Sequence, residues 1–406
     1  QKQREIEQQN EIQKQREIQR QNEIKRQYEI KSIDILILTT YDWCNTAYRY
    51  KESLKLLGYN VELIKLLKVS YDWYKDKEVA LYNNENNINF KNRNVPYYYS
   101  ILNNEYLKQI ILKSKVIYLH AETYIEIINF DYRNKYIISG VSGHPYRRQP
   151  KNFCDLFNKF TDKCLIQCPD LLNLGMKNEH LVYYGVDTDV IKYNPLIKLN
   201  KYPKLVIGHF SSNPDTKGSE IIISAVEHVC KLYPDKYEYI GYNSLTLNHV
   251  SWKDNIDRMS QCDIYIETCK PYLNKYGPFT EYNNTKFGEW GNTCLESAAT
   301  GCIVITNTLT KEYYLKEYTS EYPLLIALNE EDIIKHLIRI SKMSKSEIIL
   351  LQQKFRNWAH NNHSLLKTGE RFNNKLVKDY LDDFDNRKII PNYKQFDTLH
   401  IKLKNL

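Results

Sequence analysis

The chain has 406 residues, of which 42% are hydrophobic and 26% are charged, values typical of globular proteins with hydrophobic cores. This length accommodates two domains, each with its own core. The formal charge of +8 is spread along the chain rather than held in a basic tract, so we expect anionic small molecules as ligands and no nucleic acid.

The nine cysteines are an odd number, and none of them forms a Cys-x-x-Cys pair. This pattern favours free thiols in a reducing compartment over a disulfide framework or a zinc site. No apolar run approaches the ~18 residues of a membrane-spanning helix, and the N-terminus has no apolar signal core. We expect a cytoplasmic protein without a transmembrane segment, and leave peripheral contact with the inner face of a membrane open.

Residues 1–30 consist of five similar hexapeptides, each ending in Ile. On a helix, positions six residues apart are rotated by roughly 240° at each step, so the isoleucines form no continuous apolar stripe. The segment is predicted to be a low-complexity extension that forms a solvated helix or is disordered. An oligomerising or tethering arm is the alternative.

Residues 31–190 alternate between short β-type runs and helical stretches, which predicts a first α/β domain with a parallel sheet covered by helices. Gly58 follows the first helix as a terminating residue. Residues 70–104 are rich in Tyr and Asn and are not assigned. The predicted strands are 33–38, 61–64, 116–119, 136–139, 164–167 and 181–184.

The alternation stops at residues 185–189, and a polar segment with two prolines leads into a new strand at 205–208. This break predicts a boundary and a second α/β domain over 191–365. Helices are predicted at 329–343, 345–361 and 366–383. The last of these opens a C-terminal helix and tail, 366–406, which we expect to return toward the first domain.

Residues 288–306 read as a glycine-containing loop, a short helix of small residues and a buried strand. This arrangement presents backbone N–H groups and a helix N-terminus to an anionic ligand. Glu296 has two interpretations. It binds a ligand, or it forms a capping box with Thr293 three residues earlier, and spacing alone does not separate them.

The loop 208–218 places Lys217 and Gly218 in the first turn of a predicted helix, 216–232. A lysine there opposes the helix dipole, and glycine costs up to ~1 kcal/mol relative to alanine. A phosphate group shared by Lys217 and the helix N-terminus would justify this local cost. A solvated surface lysine is the alternative.

Segments 185–189, 208–218 and 291–306 together resemble retaining nucleotide-sugar glycosyltransferases of the GT-B fold, family 4 type. The resemblance implies an α/β fold of two Rossmann-like domains, with parallel sheets that face a central cleft. It also implies a hexosyltransferase-type enzyme that moves a sugar, with retention, from a nucleoside diphosphate-sugar to a hydroxyl of a glycan, lipid or protein acceptor. No metal and no cofactor beyond this co-substrate are implied.

The resemblance assigns donor-binding roles to residues of the second half. Glu296 matches the glutamate that holds the ribose hydroxyls, and Lys217 matches the lysine that contacts the diphosphate. His209 stands where the family has an arginine that assists this lysine. Gly288 stands where the family has its first motif glutamate, and Glu289 follows one position late as a candidate for the sugar contact.

The remaining donor-side candidates are Gly291, Asn292 and Thr293, the first two offering backbone N–H groups near the sugar or phosphates. In the first half, His144 resembles the family's active-site histidine that contacts the transferred sugar, and His120 competes for that role. The implied catalytic set is His144, Lys217 and Glu289. The implied acceptor-side residues are Tyr41, Asp42, Trp43, Arg147 and Arg148.

Two other functions fit the same fold. A nucleotide-sugar epimerase would keep the donor site and change the reaction. A degenerate, non-catalytic sugar-binding or assembly subunit would account for Gly288, for His209 and for the repeat extension.

Overall fold

The computed structural model describes residues 12–17, 32–40, 42–65, 80–81, 105–121, 135–143, 146–147, 150–211, 213–241, 250–270, 289–318 and 321–382. Residues 12–17 form an exposed helical segment within the predicted repeat extension. The prediction for the rest of residues 1–30 lies outside the described residues.

The first sheet has seven parallel strands in the order β3-β2-β1-β4-β5-β6-β7. The inner strand β1 carries four consecutive buried residues, 35–38, so both of its faces are covered, as predicted for a parallel sheet. Strand β3 lies in the region that the sequence left unassigned. The strands are β1 (Ile33–Thr39), β2 (Val61–Lys65), β3 (Ala80–Leu81), β4 (Ser114–His120), β5 (Tyr136–Val141), β6 (Lys163–Ile166) and β7 (Glu179–Leu181).

Three α-helices accompany this sheet among the described residues: α1 (Thr46–Lys55), α2 (Glu105–Lys113) and α3 (Pro150–Phe157). Short 3-10 turns at Trp43–Asn45 and Pro169–Leu171 follow the ends of β1 and β6. Gly58 has φ +89°, a left-handed conformation that favours glycine, which explains its place after α1.

The second sheet has five parallel strands in the order β12-β11-β10-β8-β9. The strands are β8 (Leu205–His209), β9 (Tyr237–Gly241), β10 (Ile264–Ile266), β11 (Ile303–Thr306) and β12 (Leu325–Ile326). The helices are α4 (Pro195–Lys198), α5 (Pro214–Lys217), α6 (Ser219–Leu232), α7 (Trp252–Ser260), α8 (Asn292–Ala299), α9 (Lys311–Glu317), α10 (Glu330–Ile340) and α11 (Lys345–His363).

The chain passes between the two sheets twice at nearly the same place. The backbone N–H of Val186 donates to the carbonyl of His363 at 2.7 Å, so the outgoing linker lies beside the end of α11. Arg356 of α11 donates to the carbonyls of Thr188 and Ala299 at 2.5 and 2.8 Å. These bonds tie the linker to the C-terminal end of α8. The predicted boundaries at residues 190 and 365 stay predictions.

The segment after α11 returns to the first domain, as predicted, as one uninterrupted helical run that contains a π-helical turn. The run consists of α12 (Leu365–Phe372), the π-helical turn (Asn373–Val377) and α13 (Lys378–Asp382). The ring of Phe372 lies 5.5 Å from that of Tyr50 on α1, and Tyr380 stacks on Tyr136 of β5 at 4.4 Å. Among the described helices, none has the length and apolar character needed to cross a bilayer.

Gly369 permits the close contact between α12 and α1, and its replacement tests this contact. A Cβ at this position would lie 2.2 Å from the carbonyl oxygen of Ser53. Glycine to alanine inside a helix usually stabilises by roughly 0.5–1 kcal/mol. We expect Gly369→Ala instead to destabilise by roughly 1–3 kcal/mol, seen as a lower urea midpoint, because the helices must separate.

The control for this experiment is Lys367→Ala on the same helix. The Lys367 side chain is 45% exposed, and its pairing with Glu370 is a surface interaction worth little. Its midpoint should stay close to that of the wild type. A stabilised Gly369→Ala variant would show that α12 does not rest on α1 as described.

Candidate active site

The N-terminus of α8 lies at the centre of the candidate site. Gly291 precedes the helix in an extended conformation, and no side chain caps the helix start among the described residues. Residues 291–293 are partly exposed. The capping-box interpretation of Glu296 is wrong, because Thr293 lies inside the helix and its hydroxyl donates to Glu267 at 3.0 Å instead. The first N–H groups of α8 are therefore available to a ligand.

Glu267, which no sequence motif indicated, holds this region together. It directly follows β10 and is buried. Its Oε1 accepts hydrogen bonds from Lys217 Nζ and Thr293 Oγ1, and its Oε2 accepts one from Thr306 Oγ1 at 3.1 Å. Its position at the carboxyl end of a strand was the available signal, since ligands of open α/β sheets bind there.

Lys217 lies beside the start of α8, as the phosphate-site hypothesis requires. Its position in the local secondary structure differs from the predicted one. It is the last residue of the one-turn helix α5, and Gly218 joins α5 to α6 with φ +69°. A Cβ on Gly218 would lie 2.4 Å from the carbonyl oxygen of Cys269. The backbone geometry thus explains why residue 218 is glycine. The prediction that Lys217 opposes the dipole at the start of a long helix is wrong, because Lys217 ends α5 instead.

The distance between Lys217 and the α8 start is short. A Cβ built on Gly291 would lie 3.3 Å from Lys217 Nζ and 3.3 Å from Glu267 Oε1. The lysine side chain keeps 29% of its surface exposed while it pairs with the buried glutamate. The partly exposed ammonium group and the helix N-terminus are therefore close enough together to contact one anion.

His209 does not face this space. It is buried, with Nδ1 2.8 Å from the carbonyl of Ile266 and Nε2 2.7 Å from Ser219 Oγ. Burial lowers the pKa of its imidazole to about 4, so the ring is neutral. The predicted diphosphate contact of His209 is not supported, because both ring nitrogens are used to join β8, β10 and the start of α6.

Glu296 is buried and makes an ion pair with Arg49, a residue of α1 in the first domain. Trp252 of α7 donates its Nε1–H to the same carboxylate oxygen, Oε1, at 2.8 Å. Arg49 Nη1 also donates to the carbonyl of Gly185 at 3.2 Å and to Asn292 Oδ1 at 3.4 Å. No local sequence pattern indicated Arg49, because its contact with Glu296 joins residues 247 positions apart.

Glu289 organises the loop after β11. Its Oε1 accepts bonds from the hydroxyls of Thr308 and Thr310 at 2.6 and 2.5 Å, and from the N–H groups of Leu309 and Thr310, both at 3.1 Å. Desolvation, and then the charge of Asp170, raise its pKa to about 7. Its predicted contact with the transferred sugar stays a prediction. Gly288 lies outside the described residues.

Asp42 of the first domain caps α1 rather than facing an acceptor. Its carboxylate oxygens accept the backbone N–H groups of Ala47 and Tyr48 at 2.8 and 3.0 Å. Burial raises its pKa to about 6, although Lys65 and these bonds lower it. The predicted acceptor role is thus corrected to a role in starting the helix that carries Arg49.

Arg147 forms a two-pronged ion pair with Asp170, with Nε–Oδ2 and Nη2–Oδ1 distances of 2.8 and 3.0 Å. An anionic acceptor would have to compete with this partner. His120, the competitor of His144, is buried between Thr46 and Tyr118, and burial lowers its pKa to about 3. Tyr41, His144, Arg148 and the side chain of Trp43 lie outside the described residues.

Neither a protein-family model nor the sequence of a curated protein matches the chain. Solved structures do match the chain. HepE from Anabaena, in complex with UDP and glucose, is 12% identical, with 85% of this chain and 100% of that chain covered and a TM-score of 0.56. A glycosyltransferase from Rickettsia africae is 13% identical, with 88% of this chain and 99% of that chain covered and a TM-score of 0.54.

A third structure, sucrose-phosphate synthase from Thermosynechococcus elongatus, is 10% identical over 87% of this chain and 100% of that chain, with a TM-score of 0.53. Likeness at this level of identity shows the fold. The chain has the GT-B fold of two Rossmann-like domains, which confirms the fold predicted from the sequence.

The raised pKa of Glu289 generates a prediction about stability and pH. The folded-state value of about 7 exceeds the ordinary value of 4.5, so between these pH values the folded state binds more protons than the unfolded state. Glu289 therefore makes the fold less stable as pH rises from about 5 to about 7. Glu289→Gln keeps an oxygen acceptor for the loop and removes the titration, so its urea midpoint relative to wild type should rise over this range.

The control for this pH series is Glu220→Gln, an exposed position on α6. Its midpoint should run parallel to that of the wild type from pH 5 to pH 8. Asp42 and Asp263 also have raised pKa values, but both residues are present in the wild type and in both variants, so their titration cancels in the comparison. Parallel profiles for Glu289→Gln and wild type would contradict the burial described for Glu289.

Proposed function

We propose that the chain is a retaining glycosyltransferase of family 4 type, which transfers a sugar from a nucleoside diphosphate-sugar to an acceptor hydroxyl of a glycan, lipid or protein. The observation that carries the proposal is the open N-terminus of α8 beside Lys217. The fold supports it, since the similar structure of HepE is a complex with UDP and glucose.

In this proposal the donor diphosphate binds at residues 291–293. Two features attract it: the positive end of the α8 dipole with its uncapped N–H groups, and the ammonium group of Lys217. Glu267 holds Lys217 in position before the donor arrives. Charge that develops on the leaving diphosphate is then met by groups already in place, which is the usual source of a large rate enhancement.

The nucleoside is bound one helical turn further along α8. Glu296 lies four residues after Asn292, on the same face of the helix, and accepts the ribose hydroxyls. A hydrogen bond to a charged carboxylate is stronger than one between neutral groups, so this contact contributes both affinity and orientation.

The reaction itself is proposed to be metal-independent. The acceptor oxygen attacks the anomeric carbon from the face that the diphosphate leaves, the bond from that carbon to the diphosphate oxygen breaks, and the acceptor proton passes to the departing phosphate. His144 and Glu289 are proposed to contact the sugar, and Arg147 and Arg148 to contact the acceptor. Positioning of the two substrates accounts for most of the acceleration.

The proposal is tested by the release of nucleoside diphosphate from a panel of nucleotide-sugars, with Lys217→Gln as the variant. We expect wild type to release diphosphate from at least one donor, and Lys217→Gln to lower kcat/KM by roughly 100-fold, the effect of removing one preorganised charge-stabilising group. Chelation with EDTA should leave the wild-type rate unchanged. The matched control is Lys231→Gln, exposed at the far end of α6, which should retain full activity.

Other outcomes identify the alternatives. A donor sugar that changes configuration without release of nucleoside diphosphate would indicate an epimerase. Donor binding without either reaction would indicate a non-catalytic subunit. Retention is read from the product by NMR of the anomeric proton, and an inverted product would contradict it. No binding of any donor would contradict the proposed function as a whole.

A further inference from the structure

The ion pair between Arg49 and Glu296 is unusual in its position. Arg49 belongs to the first domain and Glu296 to the second, and both side chains are almost fully buried, with exposures of 4% and 3%. An unpaired buried carboxylate is strongly unfavourable, so Glu296 depends on a cation that the other domain supplies. The ion pair of Glu296 therefore depends on the contact between the two domains.

Hydrogen bonding to Glu296 is confined to one of its two oxygens. Arg49 Nη2 and Trp252 Nε1 both donate to Oε1, whereas no described residue donates to Oε2. A carboxylate oxygen without a protein donor takes its hydrogen bonds from water or from a ligand. The carboxylate is thus fixed through one oxygen, and the other is left for a ligand that donates hydrogen bonds.

The surroundings of the pair indicate which part of a ligand this is. Arg49 also contacts Asn292, at the start of α8, and Asn292 and Glu296 are four residues apart on one helix face. A ligand whose diphosphate lies at residues 291–293 would place its adjoining ribose about one helical turn away. On the nucleoside side of that diphosphate, the ribose hydroxyls are the nearest hydrogen-bond donors.

We propose that Arg49 is a positioning residue, which fixes Glu296 through Oε1 so that Oε2 accepts the ribose hydroxyls of the donor. This inference rests on the proposed function. Arg49 is itself oriented by the carbonyl of Gly185 at the start of the linker, and α1 is started by the Asp42 cap. Recognition of the ribose therefore requires both domains, although the glutamate belongs only to the second.

The test measures discrimination between a ribonucleoside diphosphate and its 2′,3′-dideoxy analogue by calorimetry, with the base that wild type binds best among uracil, adenine and guanine. Wild type should prefer the ribonucleotide by about 10- to 100-fold, as expected for hydrogen bonds to a charged group. In Arg49→Met the preference should fall to about threefold or less, with the affinity for the dideoxy analogue unchanged. Arg49→Lys, which keeps a cation, should recover part of it.

The matched control is Arg356→Met. Arg356 also joins α8 to the linker, but among the described residues its hydrogen bonds go to the carbonyls of Ala299 and Thr188 rather than to a carboxylate. Its removal should leave the preference for ribose unchanged. If Arg49 had only a structural role, its replacement would lower the affinity for both ligands equally and leave the ratio of the two affinities unchanged.

Each outcome has a separate meaning. If wild type binds no nucleoside diphosphate, the proposed function fails whatever Arg49 does. If wild type binds and discriminates but Arg49→Met keeps the full preference, the positioning role is overturned. If wild type binds both analogues equally, Glu296 does not hold the ribose and Arg49 positions nothing. Should Arg49→Met fail to fold, as shown by its thermal midpoint, Arg49→Gln and Arg49→Lys carry the same comparison.

Discussion

The buried carboxylate of Glu267 is the constraint on which the candidate site depends. It collects Lys217 from the end of α5, Thr293 from the first turn of α8 and Thr306 from the end of β11. Three separate segments of the second domain are thereby held at one point, beyond the carboxyl ends of the parallel strands. Because these groups are fixed in advance, the diphosphate of the proposed donor would meet a charge and a helix N-terminus that need little reorganisation.

A second buried carboxylate, Glu296, connects this site to the rest of the molecule. Arg49 reaches it from α1, while the linker and the end of α11 meet nearby at Val186 and His363. The C-terminal helices then return to pack on α1. The helix that supplies Arg49 is thus supported by the segment that closes the chain, so the contacts between the domains and the proposed ribose contact are parts of one arrangement.

Local patterns in the sequence predicted the fold well and the side-chain partners poorly. Runs of apolar residues located the strands around Leu36 and Ile207 because a buried parallel strand must be apolar on both faces. The same reasoning misread Gly218, whose φ angle depends on a close approach to Cys269 that no local pattern shows. It also could not reveal that Glu296 pairs with Arg49, or that His209 is turned inward and neutral, because these outcomes depend on contacts made only after the sheets assemble.

The most direct test of the central claim is a crystal structure with a nucleoside diphosphate bound. The account predicts β-phosphate oxygens within about 2.7–3.2 Å of the backbone N–H groups at the start of α8 and of Lys217 Nζ. A diphosphate bound elsewhere in the cleft, with Lys217 still engaged only by Glu267 and the α8 N-terminus without a ligand, would contradict it.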